Sequence, residues 1–473
     1  MWSGAASARE RGDLAARLRA ILPAPARRAK VRVEEVEGPC DPLAAAAGMH
    51  TRSGFVWLDG ADGEHRLFSR PLARIEVRNG YATVAGPGGR ARFPARGFDL
   101  LDAAAAAWGR AGWLAGYLGY ELAGEAERLP FLPARAGDLP DLCLGWYDSF
   151  LLYRAGRWQR WSTNGWRAQE AWTPRPAEPA TTAAGALSPG PVRSRPDRAG
   201  FMEAVARTVA RIHAGEFFQT NLCRRLEAPL APEKIWPFYL RLRAISPARY
   251  GAFLSLGRGR AVASVSPELF LRVREGRVES GPIKGTRPRG ASAAEDAALL
   301  RDLAASEKDR AELAMIVDVV RNDLGRVSKA GSVVVERHAE LLTLPTVHHT
   351  VSLVAGDLRA GVTAGQLMRA AFPPASISGA PKIRAMEVAA MEEGARRGPS
   401  MGGIGWISPG GDLELSVAIR TAVAAGGRVV YHAGCGITAD SDPAGEWQES
   451  EHKAAAFVRA LGGDVDVSVD ARR

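Results

Sequence analysis

Asp309-Arg310-Ala311-Glu312, running on into Ile316-Val317-Asp318-Val319-Val320-Arg321-Asn322-Asp323, is the stretch on which the reading of this chain turns. It lies inside a long helical pattern covering residues 291–325. Helical spacing puts Asp309 and Glu312 on one face, and it does the same for Glu446 and Glu449 in a second pattern over 446–461. Lys453 follows Glu449 by four residues, which sets a cation beside that acid. A hard divalent cation takes few carboxylates, with water and substrate oxygens filling the rest of its shell, so one or two glutamates per helix suffice. Acids at this spacing are usually solvated faces or local ion pairs, so the surrounding text has to carry the weight.

Working outward, strand-like runs at 252–256, 261–265 and 269–273 precede the first acidic helix, and runs at 413–419 and 428–432 precede the second. A helix with apolar residues at Phe201, Val205, Val209 and Ile212 ends at Gly215. Another helical pattern covers 382–393. Residues 166–197 are rich in Pro, Ala, Thr and Ser and read as a linker. Before it, short alternating stretches such as Gly54-Phe55-Val56-Trp57-Leu58 and Arg74-Ile75-Glu76-Val77-Arg78 argue for an antiparallel β-rich unit. The apolar run 101–122, with Gly112, Gly116 and Gly119, reads as buried strand and turn rather than a membrane span. The expected organisation is a helical arm (1–30), an N-terminal domain (31–165), the linker (166–197) and a larger C-terminal domain (198–465). Strands and helices do not alternate as βαβ units, so the fold class is α+β with antiparallel sheets.

At 473 residues the chain exceeds one compact core, and 46% hydrophobic with 24% charged residues is ordinary globular composition. A net charge of +10 raises nucleic-acid binding, but the arginines are interleaved with acids and no recognition motif is present. No nucleic-acid or membrane partner is expected; the charge is compatible with an anionic metabolite. Cys40, Cys143, Cys223 and Cys435 form no metal or redox spacing and read as isolated buried thiols. Arg9, Glu10, Arg11 and Asp13 interrupt any signal-peptide layout, so a cytoplasmic protein is expected.

From residue 264 onward a series of blocks stands in order: Ser266-Pro267-Glu268, Pro282-Ile283-Lys284-Gly285-Thr286, the acidic helix quoted above, Ser376-Ile377-Ser378-Gly379-Ala380-Pro381-Lys382, Ile419-Arg420-Thr421 and Ala433-Gly434-Cys435-Gly436-Ile437. Together they resemble the chorismate-utilising enzymes, the family of anthranilate, aminodeoxychorismate, isochorismate and salicylate synthases. Upstream, the segment 112–121 and Leu139-Pro140-Asp141 resemble that family's N-terminal region. The resemblance implies two orthogonally packed antiparallel sheets surrounded by helices, with both halves of the chain in one intertwined body. It also implies Mg²⁺ on Glu312 and Glu449, supported by Asp309 and Glu446. Arg420 and Lys453 fall where the family binds the enolpyruvyl carboxylate of chorismate, a role that suits a planar guanidinium. Gly285, Thr286 and Gly436 match positions of close backbone approach to substrate, and His349 matches a pocket histidine.

Within the family, Lys284 is the discriminating residue, because anthranilate and isochorismate enzymes typically carry alanine there. The resemblance implies a nucleophilic Lys284 adding to C2 of the ring, Glu268 protonating the departing C4 hydroxyl, and ammonia then replacing the lysine by attack at C4. Gln219 stands where water-using members have a lysine base, and an amide cannot serve as one. The expected product is 4-amino-4-deoxychorismate, which a separate lyase converts to 4-aminobenzoate for folate synthesis. No glutaminase signature occurs in the chain, so a glutamine amidotransferase subunit is the expected ammonia source. The alternatives are an anthranilate synthase large subunit and, in another class, a catalytically silent binding homologue. Ser400 and Trp406 depart from the family pattern, which has an aromatic and a tyrosine at those positions.

Overall fold

The computed structural model describes residues 7–22, 29–109, 111–135, 137–163, 187, 190–344, 347–408 and 410–463. Most of the segment read as a linker lies outside these residues. Its end does not: Arg193–Arg195 forms an edge strand on Gln219–Pro229.

Two twelve-stranded sheets make up the body, and every strand pairing is antiparallel. Strands from before and after the linker share both sheets. In the first, Phe55–Asp59 pairs with Tyr250–Gly257. In the second, Trp113–Leu118 pairs with Gly403–Ile407. The fold is α+β, and the two sequence domains build one intertwined body.

Side-chain alternation explains the layering. Along Trp113–Leu118, Trp113, Ala115 and Tyr117 enter a core between the sheets, while Leu114 and Leu118 enter a core under helices. Phe253 and Trp57 do the converse in the first sheet, turning from Ala252, Leu254 and Val56 toward Ile235–Ile245 and Pro443–Leu461. Central strands are therefore buried on both faces and read as continuous apolar runs. Trp57 is fully buried against Trp236 and Tyr239. Trp57→Ala should cost about 3–5 kcal/mol, measurable as a lowered urea midpoint by far-ultraviolet circular dichroism.

Three local readings are corrected. Residues 101–108 belong to the helix Gly97–Trp108, whose run Ala103 to Ala107 favours helix; the strand begins only at Trp113. The long pattern 291–325 is two helices, Ala293–Ala305 and Glu307–Gly325. Ser306 divides them, its hydroxyl accepting the Asp309 N–H at 3.2 Å as the second helix's N-cap. Of the cysteines, Cys40 is exposed; the other three are buried, and none is paired. The arm helix Ala8–Ile21 is tied down: Leu14 and Leu18 are buried, and Arg19 reaches the carbonyls of Ala106 and Ala107. No helix among the described residues is long and apolar enough to cross a membrane.

Candidate active site

The chain crosses between the sheets at Pro267–Glu268, joining Arg260–Ser266 to Leu269–Arg274, and recrosses at 418–420, joining Leu413–Val417 to Thr421–Ala425. The crossings lie side by side, with the Val265 N–H donating to the Arg420 carbonyl at 3.1 Å and the Val417 N–H to the Glu268 carbonyl at 3.0 Å. Each carries a predicted site residue. Arg420 holds a left-handed φ of +48°, a conformation that costs a non-glycine residue energy.

Glu268 is 4% exposed. Burial pushes its carboxyl up to about 7 against three opposing influences: the Ser376 hydroxyl, the Lys284 ammonium and the Ile283 N–H. A carboxyl balanced there exchanges a proton near neutrality, which is what a general acid needs.

Lys284 lies on Ile283–Pro288, paired with Val347–Asp357, and the register slips between Lys284 and Thr286. Gly285 makes the bulge, with φ +75°, and a Cβ there would stand 2.8 Å from Leu303 and 3.0 Å from Asp309. Lys284 Nζ is 3.8 Å from Glu312 Oε2, to which Gln219 Nε2 donates at 3.4 Å. Gln219 is 2% exposed, and its Oε1 is buried without a partner. A methyl on Gly436 would meet Gln219 Nε2 at 2.4 Å and Lys284 Nζ at 3.3 Å, so the missing side chain is what admits both.

The second acidic helix faces this group across the strand Arg428–Ile437. Glu449 Oε1 accepts from Lys453 Nζ at 2.6 Å, and that ammonium also donates to the Gly434 carbonyl at 2.9 Å. Burial would raise the Glu449 pKa, but Lys453, Lys284 and Lys308 outweigh it and hold it low. Burial raises that of Glu446, whose Oε1 accepts the Ser441 hydroxyl at 2.7 Å while Oε2 is buried and unpartnered. Asp309 is engaged elsewhere, 3.3 Å from Arg287 Nη1. The structure thus brings Lys284, Gln219, Glu312 and Gly436 into one group, with Glu446, Glu449 and Lys453 beside it.

Arg420 is half-buried, and its guanidinium has no hydrogen bond or ion pair among the described residues. Burial pulls its pKa down. A guanidinium without a carboxylate partner is chemically able to receive an anion. His349 Nδ1 contacts the Thr286 hydroxyl at 2.9 Å, leaving Nε2 buried and unpartnered. Burial, then the Arg420 charge, takes its pKa down to about 4, so the ring is neutral at pH 7. Ser400 is 1% exposed and donates to the Thr421 carbonyl at 3.2 Å beside Arg420. Trp406 lies away from this group, stacked under Arg66 and Arg274.

Ser376, facing Glu268, belongs to the site and was not singled out from sequence, although it opens the block Ser376-Ile377-Ser378-Gly379. A cavity of about 270 Å³ lies apart from these residues and is rich in arginine. Its charges are internally matched: Arg66 and Arg154 with Glu64, Arg249 with Asp62, Arg272 and Arg274 with Glu414. Volume is therefore a poorer guide here than unpaired functional groups, and those converge around Lys284 and Arg420.

The chain belongs to the chorismate binding enzyme family, which it matches over residues 53–459. It is 39% identical to aminodeoxychorismate synthase component 1 of Klebsiella aerogenes over 351 residues, 73% of this chain and 76% of that one. It is 46% identical to anthranilate synthase component 1 of Streptomyces coelicolor over 263 residues, 56% of this chain and 51% of that one. Across such relatives the matched segment spans 38% to 76% of their own length. The crystal structure of anthranilate synthase component I from Streptococcus pneumoniae superposes with a TM-score of 0.71 at 28% identity, covering 84% of this chain and 92% of that one.

Proposed function

We propose that the chain aminates chorismate at C4 as the large subunit of an aminodeoxychorismate synthase, a transaminase-type amination that gives 4-amino-4-deoxychorismate. The observation that carries this reading is an amine, Lys284, set 3.8 Å from Glu312 and next to a buried carboxyl poised near neutrality, Glu268. Once its ammonium has given a proton to solvent, the neutral Lys284 amine forms a bond to ring C2 as the C4–O bond breaks, and Glu268 gives its proton to the departing hydroxyl, which leaves as water. Ammonia then bonds to C4, the ring double bonds return, and the C2–N bond to Lys284 breaks. Arg420 and Lys453 would hold the enolpyruvyl carboxylate, and the neutral His349 would border the ring with Thr286.

The donors beside Lys284 suit Mg²⁺: a low-pKa Glu449, the buried free oxygen of Glu446, and Glu312. The cation would supply positive charge for the ring carboxylate. Asp309, held by Arg287, would act on it only at a distance. A glutamine amidotransferase subunit is the proposed ammonia source, consistent with relatives that are named as component 1 of their synthases. The product would feed 4-aminobenzoate and folate synthesis, and a cytoplasmic location goes with that role.

The Streptomyces coelicolor relative favours a second reading, anthranilate synthesis. Incubating the chain with chorismate, Mg²⁺ and an ammonium salt at alkaline pH, then separating products by chromatography, decides between them. 4-Amino-4-deoxychorismate is expected, converted to 4-aminobenzoate once a lyase is added. Fluorescent anthranilate with released pyruvate would transfer the assignment to the second reading, and no turnover by folded protein would sink both.

A further inference from the structure

Cys435 adds to this region a ligand of a kind the carboxylates lack. Its thiol is fully buried in Gly434-Cys435-Gly436 and donates to the Glu446 carbonyl at 3.2 Å. Its sulfur and one oxygen each from Glu446 and Glu449 all lie within 4.8 Å of one another. Glu446 is 4% exposed, and its Oε2 has no hydrogen-bond partner. A buried carboxylate oxygen left unpaired is costly unless something occupies the space it faces. Ligands held about 2.0–2.3 Å from a tetrahedral ion stand roughly 3.5 Å apart, so side-chain rotation would close this set around one.

We propose that Cys435, Glu446 and Glu449 form a site for a thiophilic divalent cation such as Zn²⁺, overlapping the hard-cation site through the two glutamates. Sulfur is a poor ligand for Mg²⁺, which leaves Cys435 bonded to the Glu446 carbonyl; a softer cation takes the thiolate, and the displaced thiol proton goes to solvent. The fourth position belongs to water. Entry is from the Glu449 side, where that side chain is 47% exposed. Lys453 holds Glu449 Oε1 at 2.6 Å and competes for it. Occupation by such a cation excludes the hard one, so Zn²⁺ is an inhibitor of this chain. Binding needs no substrate and is independent of the amination reading, whereas the overlap and the inhibition rest on the Mg²⁺ site and turnover proposed above.

Cadmium is the probe, because a thiolate–Cd²⁺ bond gives a charge-transfer absorption that carboxylates do not. The full chain is used in a Cys40→Ser background, which removes the exposed thiol, after treatment with a chelator and desalting. One equivalent of Cd²⁺ should produce the band, and excess Mg²⁺ should weaken the apparent affinity. Adding Cys435→Ser should abolish the band with the circular dichroism spectrum unchanged. Adding Glu446→Gln, which keeps every remaining thiol, should weaken binding by about tenfold or more. A band that survives Cys435→Ser overturns the site, and indifference to Mg²⁺ overturns the overlap. Should Cys435→Ser disturb the fold, undiminished affinity in Glu446→Gln overturns the proposal.

Discussion

A chain carrying Lys284→Ala is expected to lose chorismate amination by about a thousandfold or more, on the order of 4 kcal/mol of transition-state stabilisation, while still binding the substrate. Beside Lys284 stand Glu312, 3.8 Å from its Nζ, and Gln219, which donates to the same Glu312 oxygen, and neither offers a second amine that could stand in. The same substitution removes a cation from among Glu268, Glu312 and Glu449, so an electrostatic role has to be separated from a covalent one. Lys284→Arg makes the separation, because it keeps the charge and loses the attacking amine. Both variants should be equally poor when product is followed by chromatography. An arginine variant close to wild type would reduce Lys284 to a counter-charge, and an alanine variant with unchanged product and rate would end the nucleophile assignment. A switch in the alanine variant from C4 to ortho amination would instead support it.

Glu268→Gln should reduce kcat by about a hundred- to ten-thousandfold, since the amide fills the space but cannot give up a proton to the departing hydroxyl. The working form of Glu268 is protonated, so wild-type kcat/KM should fall as pH rises through about 7, and that limb should vanish in the variant. In the variant, stability moves opposite to activity. A carboxyl whose folded pKa is raised from 4.5 to about 7 leaves the folded state fully stable below 4.5 and progressively penalised as pH climbs toward 7. Glutamine removes the penalty, so the variant should be more stable above pH 7 by about 1–3 kcal/mol in urea denaturation. A wild-type pH limb retained in Glu268→Gln would move the acid to another residue.

Residues whose placement is set by local spacing were legible in the sequence. The spacing of Glu446, Glu449 and Lys453 places them on one helix face, and the helices at 382–393 and 443–461 follow their pattern closely. The Ser306 break was hidden because apolar periodicity runs on through it, although Ser306 with Asp309 three residues later is a capping signal in its own right. The strand Trp113–Leu118 lacks alternation because cores lie on both its faces, and the glycines after Trp108 drew the preceding alanine helix into the same reading. The resemblance puts Asp309 in support of a metal, and its pairing with Arg287 depends on a strand that helical spacing cannot see. The adjacency of Glu268 and Arg420, 152 positions apart in sequence, is a property of the two crossings and has no local signature.

Those crossings also determine what damage the chain can survive. Glu268 and Arg420 belong to neither sheet; their segments are held side by side by the bonds from Val265 to Arg420 and from Val417 to Glu268. A nick in a peripheral helix leaves them together, whereas loosening either sheet separates them at once. No fragment cut between residues 268 and 420 retains both, and activity would return only when the two pieces are recombined. Turnover is in that sense a proofreading signal for the whole fold, lost before secondary structure is.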